Sequence, residues 1–384
     1  LDHPAQHFAP AFRLLADSDK VDASVVYWTT TGQAVDPGFG RPVTWDVDLS
    51  GYPSWVPPGD TPLRRAAAVY RHMRAERPDA AVCYGWGATV ARATIVAALL
   101  TRTPLLLYGD STWQHSGRRS IRLLRDWFLR VLFRLASGAI STGTFNRDFY
   151  VSLGMEPASV TPGVCPTDAP AFAAARAARP PSDGYVIGFA GKLTPRKGVD
   201  VLLRALALLP PAGNWTARIV GDGPEREACE RLAKELGLDD RVTFLGFRNA
   251  SEMPSLLAAC DAVVVPSRRD LRVLVTQEAM TAGAVAVVSS ATAVWGPGDI
   301  AEPGVSGLVF QNGSAPDLAE KLELLMTDPE GAERLRREGT RRAERQGPAE
   351  FVTSVEVAVA RLVDQSRGRG HRGQLSRLLR GEHR

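Results

Sequence analysis

Hydrophobic and polar positions along this chain fall into two alternating rhythms. Short runs rich in β-branched residues give way to longer stretches with apolar residues every three or four positions. In the first half, residues 23–28, 80–84, 104–108 and 138–141 read as strands, and residues 1–4 as the tail of a strand running into a loop. Residues 10–16, 61–77, 88–100, 118–136 and 146–153 read as helices, with Pro62 in the first turn of its helix. Residues 162–182 are rich in Pro and Ala and have no clear period. Beyond them the rhythm restarts, with strands at 185–190, 216–220, 242–245, 262–265 and 284–288. Helices are expected at 199–209, 225–236, 251–258, 277–283, 316–326, 330–345 and 351–363. Strand and helix alternating on this scale predict an α/β protein with parallel sheets and helices on both faces.

A length of 384 residues is too great for one ordinary core. The aperiodic stretch divides it into an N-terminal domain (1–165), a linker (166–182) and a C-terminal domain (183–347). A last helix (348–366) is expected to pack back on the N-terminal domain. The Arg- and Gly-rich tail (367–384) is expected to be poorly ordered. Residues 29–56 form a long polar and aromatic stretch of the kind that is usually functional or mobile.

In the helix at 118–136, Ile121, Leu124, Trp127, Phe128, Val131 and Leu135 fall on one apolar face, which suits the sheet. Leu129 and Phe133 then fall among Arg118, Arg119, Arg122, Arg125, Arg130 and Arg134. A basic face carrying apolar side chains leaves a peripheral membrane contact open, beside the plainer reading of a surface helix.

Composition narrows the class. Hydrophobic residues make up 45% and charged residues 23%, as in a globular protein, and the net charge of +4 is too small to argue nucleic acid. The tail arginines have no interleaved aromatics, so no specific nucleic-acid partner is expected. Cys83, Cys165, Cys229 and Cys260 are far apart and read as reduced, buried thiols of a cytoplasmic protein. No apolar run reaches membrane-spanning length, and no signal peptide is visible.

The candidate chemistry centres on residues 189–198, FAGKLTPRKG, a strand-to-helix loop. Gly191 lets the backbone approach a ligand, and Lys192, Arg196 and Lys197 bring positive charge. The helix that follows Gly198 points its positive end at the same place. Together these suit a polyanion, most simply a diphosphate; a solvated basic turn is the plain alternative. A second strand, 261–265, runs through Pro266-Ser267 into a loop and then a helix, with Asp270 and Glu278 separated by seven residues. That layout can bring both carboxylates to the mouth of one cleft, where a carboxylate can hold a vicinal diol. The Gly221-Asp222-Gly223 loop also joins a strand to a helix but lacks the third glycine of a dinucleotide fingerprint. Asp46-Val47-Asp48 is a D-x-D that suits a metal in other settings, but it lies in the long loop of the other domain.

These segments, taken in order, resemble the retaining glycosyltransferases of family 4, which have the GT-B fold: two Rossmann-like, doubly wound domains facing across a cleft. FAGKLTPRKGVDVLL is similar to the family's G-[RK]-L-x3-KG stretch, and PSRRDLRVLVTQEAM to its P-S-x2-E-x7-E-A-M signature. IVGDGPER, VTFLGF and GVSGLVF match intervening segments, while HPAQHFAPAFRLLA and LLLYGDS match the first half more loosely.

The resemblance implies transfer of a sugar from a nucleoside-diphosphate sugar to an acceptor hydroxyl, with retention, no metal and no cofactor beyond the donor substrate. Lys192 and Lys197 would carry the diphosphate, Glu278 the ribose and Asp270 the hydroxyls of the transferred sugar. Gly191, Arg196, Gly221, Gly223 and Phe247 would complete the donor site. The sequence departs from the pattern in five places. Lys192 stands where arginine is common, Asp270 replaces a longer glutamate, and Val273 replaces a glycine. The first strand and its glycine-rich loop are missing, with His3-Pro4-Ala5-Gln6 in that place. A histidine common in the cleft is absent, which leaves Asp110 as the candidate to orient the acceptor, with His115 nearby; an ordinary capping aspartate is the alternative. A catalytically weak sugar-nucleotide-binding protein, or another GT-B enzyme such as a sugar-nucleotide epimerase, stays open.

Overall fold

The computed structural model describes the chain apart from residues 2, 30–34, 37–40, 43–45, 47, 114–118, 180, 272 and 379–384. The N-terminal half runs α1 (Ala9–Ala16), β1 (Val25–Val26), β2 (Val35–Asp36), β3 (Arg41–Pro42), β4 (Ser54–Trp55) and α2 (Pro62–Glu76). It continues with β5 (Ala81–Tyr84), α3 (Thr89–Thr101), β6 (Leu105–Gly109), α4 (Arg119–Leu135), β7 (Gly138–Ser141), α5 (Thr144–Ser152) and β8 (Val160–Pro162). β5 to β8 form a parallel sheet in sequence order, and β1 pairs in parallel with β4. Leu1 lies alongside β1: its amino group donates to the Val26 carbonyl at 2.9 Å, and Trp28 N donates to the Leu1 carbonyl at 3.0 Å.

The C-terminal half runs α6 (Ala169–Ala177), β9 (Tyr185–Ala190), α7 (Val199–Leu206), β10 (Trp215–Val220), α8 (Arg226–Glu235), β11 (Val242–Gly246) and α9 (Met253–Ala258). β12 (Ala262–Val265), α10 (Leu274–Thr281), β13 (Val285–Ser289), β14 (Gly307–Phe310), α11 (Ala315–Thr327), α12 (Pro329–Glu344) and α13 (Pro348–Leu378) complete it. Its six strands are all parallel in the order β11-β10-β9-β12-β13-β14. β12 reads AVVV and is buried along its whole length, as a central strand covered on both faces must be. The strand order reverses between β9 and β12, and in open α/β sheets ligands bind outside the carboxyl ends of the strands at such a point.

Several expectations from the sequence change here. The stretch 166–182 is not a bare linker: α6 occupies most of it. Asp168 caps α6 by accepting from Ala171 N, and Pro170 sits in its first turn. Phe172 of this helix is buried with Leu257 of α9 and Ala279 of α10, so an Ala-rich segment without strong period is held by packing. β8 and β14 are short strands that the sequence reading left out. The last helix runs on into the tail as far as Leu378, while residues 379–384 lie outside the described ones. Helix propagates cheaply once begun, and α13 begins well anchored. Its Phe351, Val352, Val355 and Leu362 pack with Phe8, just before α1, with Phe12 of α1 and with Leu106, Tyr108 and Ile140 of the N-terminal sheet.

The largest correction concerns α4. Among its described side chains Leu129, Leu132 and Phe133 are buried, while Leu124, Trp127, Phe128, Val131 and Leu135 are exposed; the Ile121 side chain lies outside the described ones. Phe133 meets Trp86, Phe149 and Tyr150 at ring-centre distances of 5.7, 6.1 and 5.2 Å. The narrower apolar face is the one whose shape fits that aromatic cluster.

Candidate active site

Two loops at the reversal point are stitched into one surface. Gly198 adopts a left-handed conformation (φ 67°), and a Cβ there would strike the Pro266 carbonyl, so the residue between the basic turn and α7 must be glycine for the loops to touch. Arg268 N donates to the Arg196 carbonyl at 2.8 Å. The Arg268 guanidinium donates to both carboxylate oxygens of Asp200, at 2.7 and 2.6 Å, and to the Pro195 carbonyl at 3.1 Å. That fork holds the Asp200 carboxyl below its ordinary value.

Within this surface Asp270 joins the predicted cations. Lys197 Nζ lies 2.7 Å from its Oδ2 and Arg196 Nη1 lies 2.9 Å from its Oδ1. Leu271 N donates to Oδ1 at 3.1 Å and Ser267 Oγ to Oδ2 at 3.4 Å. Asp270 is buried, Lys197 largely so, and Arg196 half exposed. The expected sugar-hydroxyl contact is therefore also the anchor that fixes where two cations sit. Lys192 follows Gly191 on the same loop, partly exposed.

Gly221 and Gly223 act through packing. A Cβ on Gly221 would run into the Gly191 carbonyl, and one on Gly223 into the Leu193 carbonyl. Their loop is knitted to the basic one by Leu193 N donating to the Asp222 carbonyl at 2.8 Å and Glu225 N donating to the Leu193 carbonyl at 3.0 Å. Phe247 is half-buried and follows Gly246, whose carbonyl accepts from Gly221 N at 2.8 Å. The donor-side residues named from the sequence thus share one end of one sheet.

Glu278 sits on α10, which leaves the Asp270 loop. The residue is half-buried, and burial pushes its carboxyl up to about 7. Val273, where a glycine is usual, is buried against Val265, Met280 and Val288 and plugs the core under the helix start. Its φ of −103° needs no glycine.

On the N-terminal side, Asp110 follows β6, half-buried, and its charge is felt by the Tyr150 phenol, which burial raises above its ordinary value. The adjoining turn is fixed by Thr142 Oγ1 donating to the Gly109 carbonyl at 3.1 Å and Asn146 Nδ2 to the Ser111 carbonyl at 2.8 Å. His115 lies outside the described residues. His7, just before α1, is brought down to about 4 by burial and is neutral at ordinary pH. The sequence reading gave it no role.

The two halves meet in ways the sequence reading missed. A cavity of about 760 Å³ lies between them, lined by Thr142, Thr144 and Arg147 on one side and Asp299, Gln346 and Glu350 on the other. None of the basic-loop residues lines it. Thr144 N donates to Asp299 Oδ1 at 3.1 Å, and Phe145 meets Trp295 edge-on at 5.5 Å. The D-x-D carboxylates have protein partners. Ser251 Oγ and N both donate to Asp46, across the domain boundary, and Asp48 Oδ1 accepts from Ser50 N and Oγ at 2.8 and 2.6 Å. Among the described residues no three His, Cys, Asp or Glu side chains cluster as a metal site would.

Comparison with known proteins places this geometry. Residues 173–342 match the family described as glycosyl transferases group 1, and residues 8–162 match the glycosyl transferase 4-like domain. A D-inositol 3-phosphate glycosyltransferase of Stackebrandtia nassauensis is 36% identical over 185 residues, 46% of this chain and 40% of that protein. An alpha-D-kanosaminyltransferase of Streptomyces kanamyceticus is 34% identical over 154 residues, 40% of this chain and 39% of its own length. The chain thus spans about two fifths of these relatives. Among solved structures, Anabaena HepE in complex with UDP superposes with a TM-score of 0.69 at 21% identity, covering 94% of this chain and 98% of that one. WaaG, involved in lipopolysaccharide biosynthesis, gives 0.61 at 17% identity, covering 94% and 98%.

Proposed function

We propose that this chain, which belongs to the family 4 glycosyltransferases (glycosyl transferases group 1) and has the GT-B fold, moves a sugar from a nucleoside-diphosphate sugar to an acceptor hydroxyl. The transfer retains the anomeric configuration and uses no metal ion. One observation carries the reading: Lys197 and Arg196 are held on Asp270 at the point where the strand order reverses. When the bond from the anomeric carbon to the phosphate oxygen breaks, negative charge develops on the departing diphosphate. Preorganised cations at that oxygen lower the barrier, and the amino end of α7 adds to them. These groups supply the charge that a divalent ion supplies elsewhere.

Glu278 then accepts hydrogen bonds from the ribose diol, and Asp270, beyond its anchoring part, faces the hydroxyls of the transferred sugar. The acceptor oxygen bonds to the anomeric carbon as the phosphate leaves, and its proton passes to the departing phosphate on the same face. Asp110, on the opposite domain, orients that acceptor. A nucleotide-sugar donor agrees with the UDP and UDP-glucose bound by HepE. The four cysteines are buried and form no disulfide, which suits the reducing cytoplasm.

The test is a thermal-shift panel of UDP, GDP, ADP and TDP with their sugar conjugates, followed by NMR of the product's anomeric proton. At least one nucleotide should raise the melting temperature by mass action, and the product should keep the donor's configuration in the presence of a chelator. No shift with any nucleotide refutes the donor site. An inverted product refutes retention, and loss of turnover on chelation refutes metal independence. Release of an epimerised donor without transfer would make the protein an epimerase.

A further inference from the structure

The outward face of α4 carries Leu123, Leu124, Trp127, Phe128, Val131 and Leu135, between 37% and 70% exposed. At 3.6 residues per turn these six side chains share one face, and the exposed Arg130 and Arg134 fall along its edge. Single exposed apolar residues are ordinary, but a continuous stripe of six large ones on one helix is not.

We propose that this face docks on an anionic lipid surface. Charge decides the occupant. From Arg119 to Leu135 the helix carries Arg119, Arg122, Arg125, Arg130 and Arg134 against Asp126 alone, and Arg125 is paired with Asp126 at 2.7 Å. A second copy meeting this face across a twofold axis would set arginines against arginines. Anionic headgroups neutralise them while the apolar stripe, with Trp127 at its centre, enters the boundary between headgroups and acyl chains. Among the described residues no helix is long and apolar enough to cross a membrane, so the contact is one of lying on the surface.

The position fits delivery of a lipid-borne substrate. α4 is the crossover from β6 to β7, so its first turn lies at the carboxyl end of the sheet, the end at which Asp110 stands. The docking itself is a lipid-binding property and does not depend on the proposed transfer reaction.

Co-sedimentation of the full chain with phosphatidylcholine vesicles, with and without phosphatidylglycerol, tests this. Binding should be stronger to the anionic vesicles and should weaken as salt is raised. The Trp127→Ser/Phe128→Ser variant should lose about tenfold or more in partitioning, and Arg130→Gln/Arg134→Gln should lose most of the preference for anionic vesicles. Both variants should keep the wild-type melting temperature and nucleotide-induced thermal shift, since the altered side chains face solvent. Equal pelleting with neutral and anionic vesicles, or unchanged binding by the Trp127/Phe128 variant, overturns the proposal. So does a concentration-dependent dimer, seen by sedimentation velocity, that this variant abolishes, because the stripe would then be a self-association surface.

Discussion

Lys197 Nζ stands 2.7 Å from Asp270 Oδ2, linking the loops that leave the two strands between which the sheet order reverses. Lys197 comes from the segment after β9 and Asp270 from the segment after β12, so the contact exists only because β9 and β12 are neighbours in the sheet. A charge-assisted bond between largely buried groups fixes a flexible lysine at one point, which is what a preorganised phosphate contact requires.

Lys197→Ala should therefore lose roughly 2–4 kcal/mol of transition-state stabilisation, read as kcat/KM with the best donor. Asp270→Asn keeps an acceptor for Lys197 but removes the charge that anchors it. Because the two residues act as a unit, their losses should not add. A double-mutant cycle should give a coupling of at least about 0.5 kcal/mol. Additive losses would mean that Asp270 does not work through Lys197, and a twofold or smaller effect of Lys197→Ala would remove the lysine from the reaction.

Glu278→Gln should move stability and nucleotide binding in opposite directions. Its carboxyl is pushed up to about 7, whereas in the unfolded chain it ionises near its ordinary value. Between those two values the unfolded state gives up its proton first, so this group makes stability fall as pH rises, and the loss is complete above the folded value. Glu278→Gln removes the loss. The variant should be more stable than wild type by about 1–3 kcal/mol near pH 8 and equal to it near pH 4. The same variant should bind nucleoside diphosphates more weakly, since the amide offers one acceptor where the carboxylate offers two. Urea titrations at the two pH values check the first effect and calorimetry the second. Wild-type nucleotide affinity in the variant would end the ribose assignment.

Gly221 has no space for a side chain, because a Cβ would meet the Gly191 carbonyl, and its φ of 134° is strained for any other residue. Gly221→Ala must push the β10–α8 loop away from the basic loop. The expected cost is about 1–3 kcal/mol of stability, together with a fall in kcat/KM larger than that of an alanine at the exposed Gly313. A variant with unchanged melting temperature and turnover would show that the two loops need not touch.

The C-terminal sheet was legible because its strands announce themselves. A buried run such as 262–265 admits little else, and each is followed by a loop whose glycines and charges stand out. The basic loop and Asp270 lie together at one sheet end, and Glu278 is on the helix that follows the Asp270 loop. What pattern reading could not supply was contact between distant segments. Nothing near Asp46 marks it as the acceptor for Ser251, more than two hundred positions away. Asp299 lies in a Gly-Pro-Gly-Asp turn that looks like any surface turn, yet it accepts from Thr144 N. The resemblance implies that Asp270 meets the sugar hydroxyls, and its pairing with Lys197 is hidden from pattern reading for the same reason.

The same limit explains α4 and leads to its own test. Period alone found two apolar faces on this helix, and the wider one was assigned to the core. The structure buries Leu129, Leu132 and Phe133 instead, against Trp86, Phe149 and Tyr150. Leu129 is 0% exposed and Trp127 64%. Leu129→Ala should cost roughly 2–5 kcal/mol, the range for emptying a packed core position. Trp127→Ala should stay within about 0.5 kcal/mol of wild type, as for a surface change that breaks no network. Urea denaturation of the two variants reads the difference directly. If Trp127→Ala proves the more damaging, the helix is turned the other way, and the exposed stripe with its proposed lipid contact goes with it.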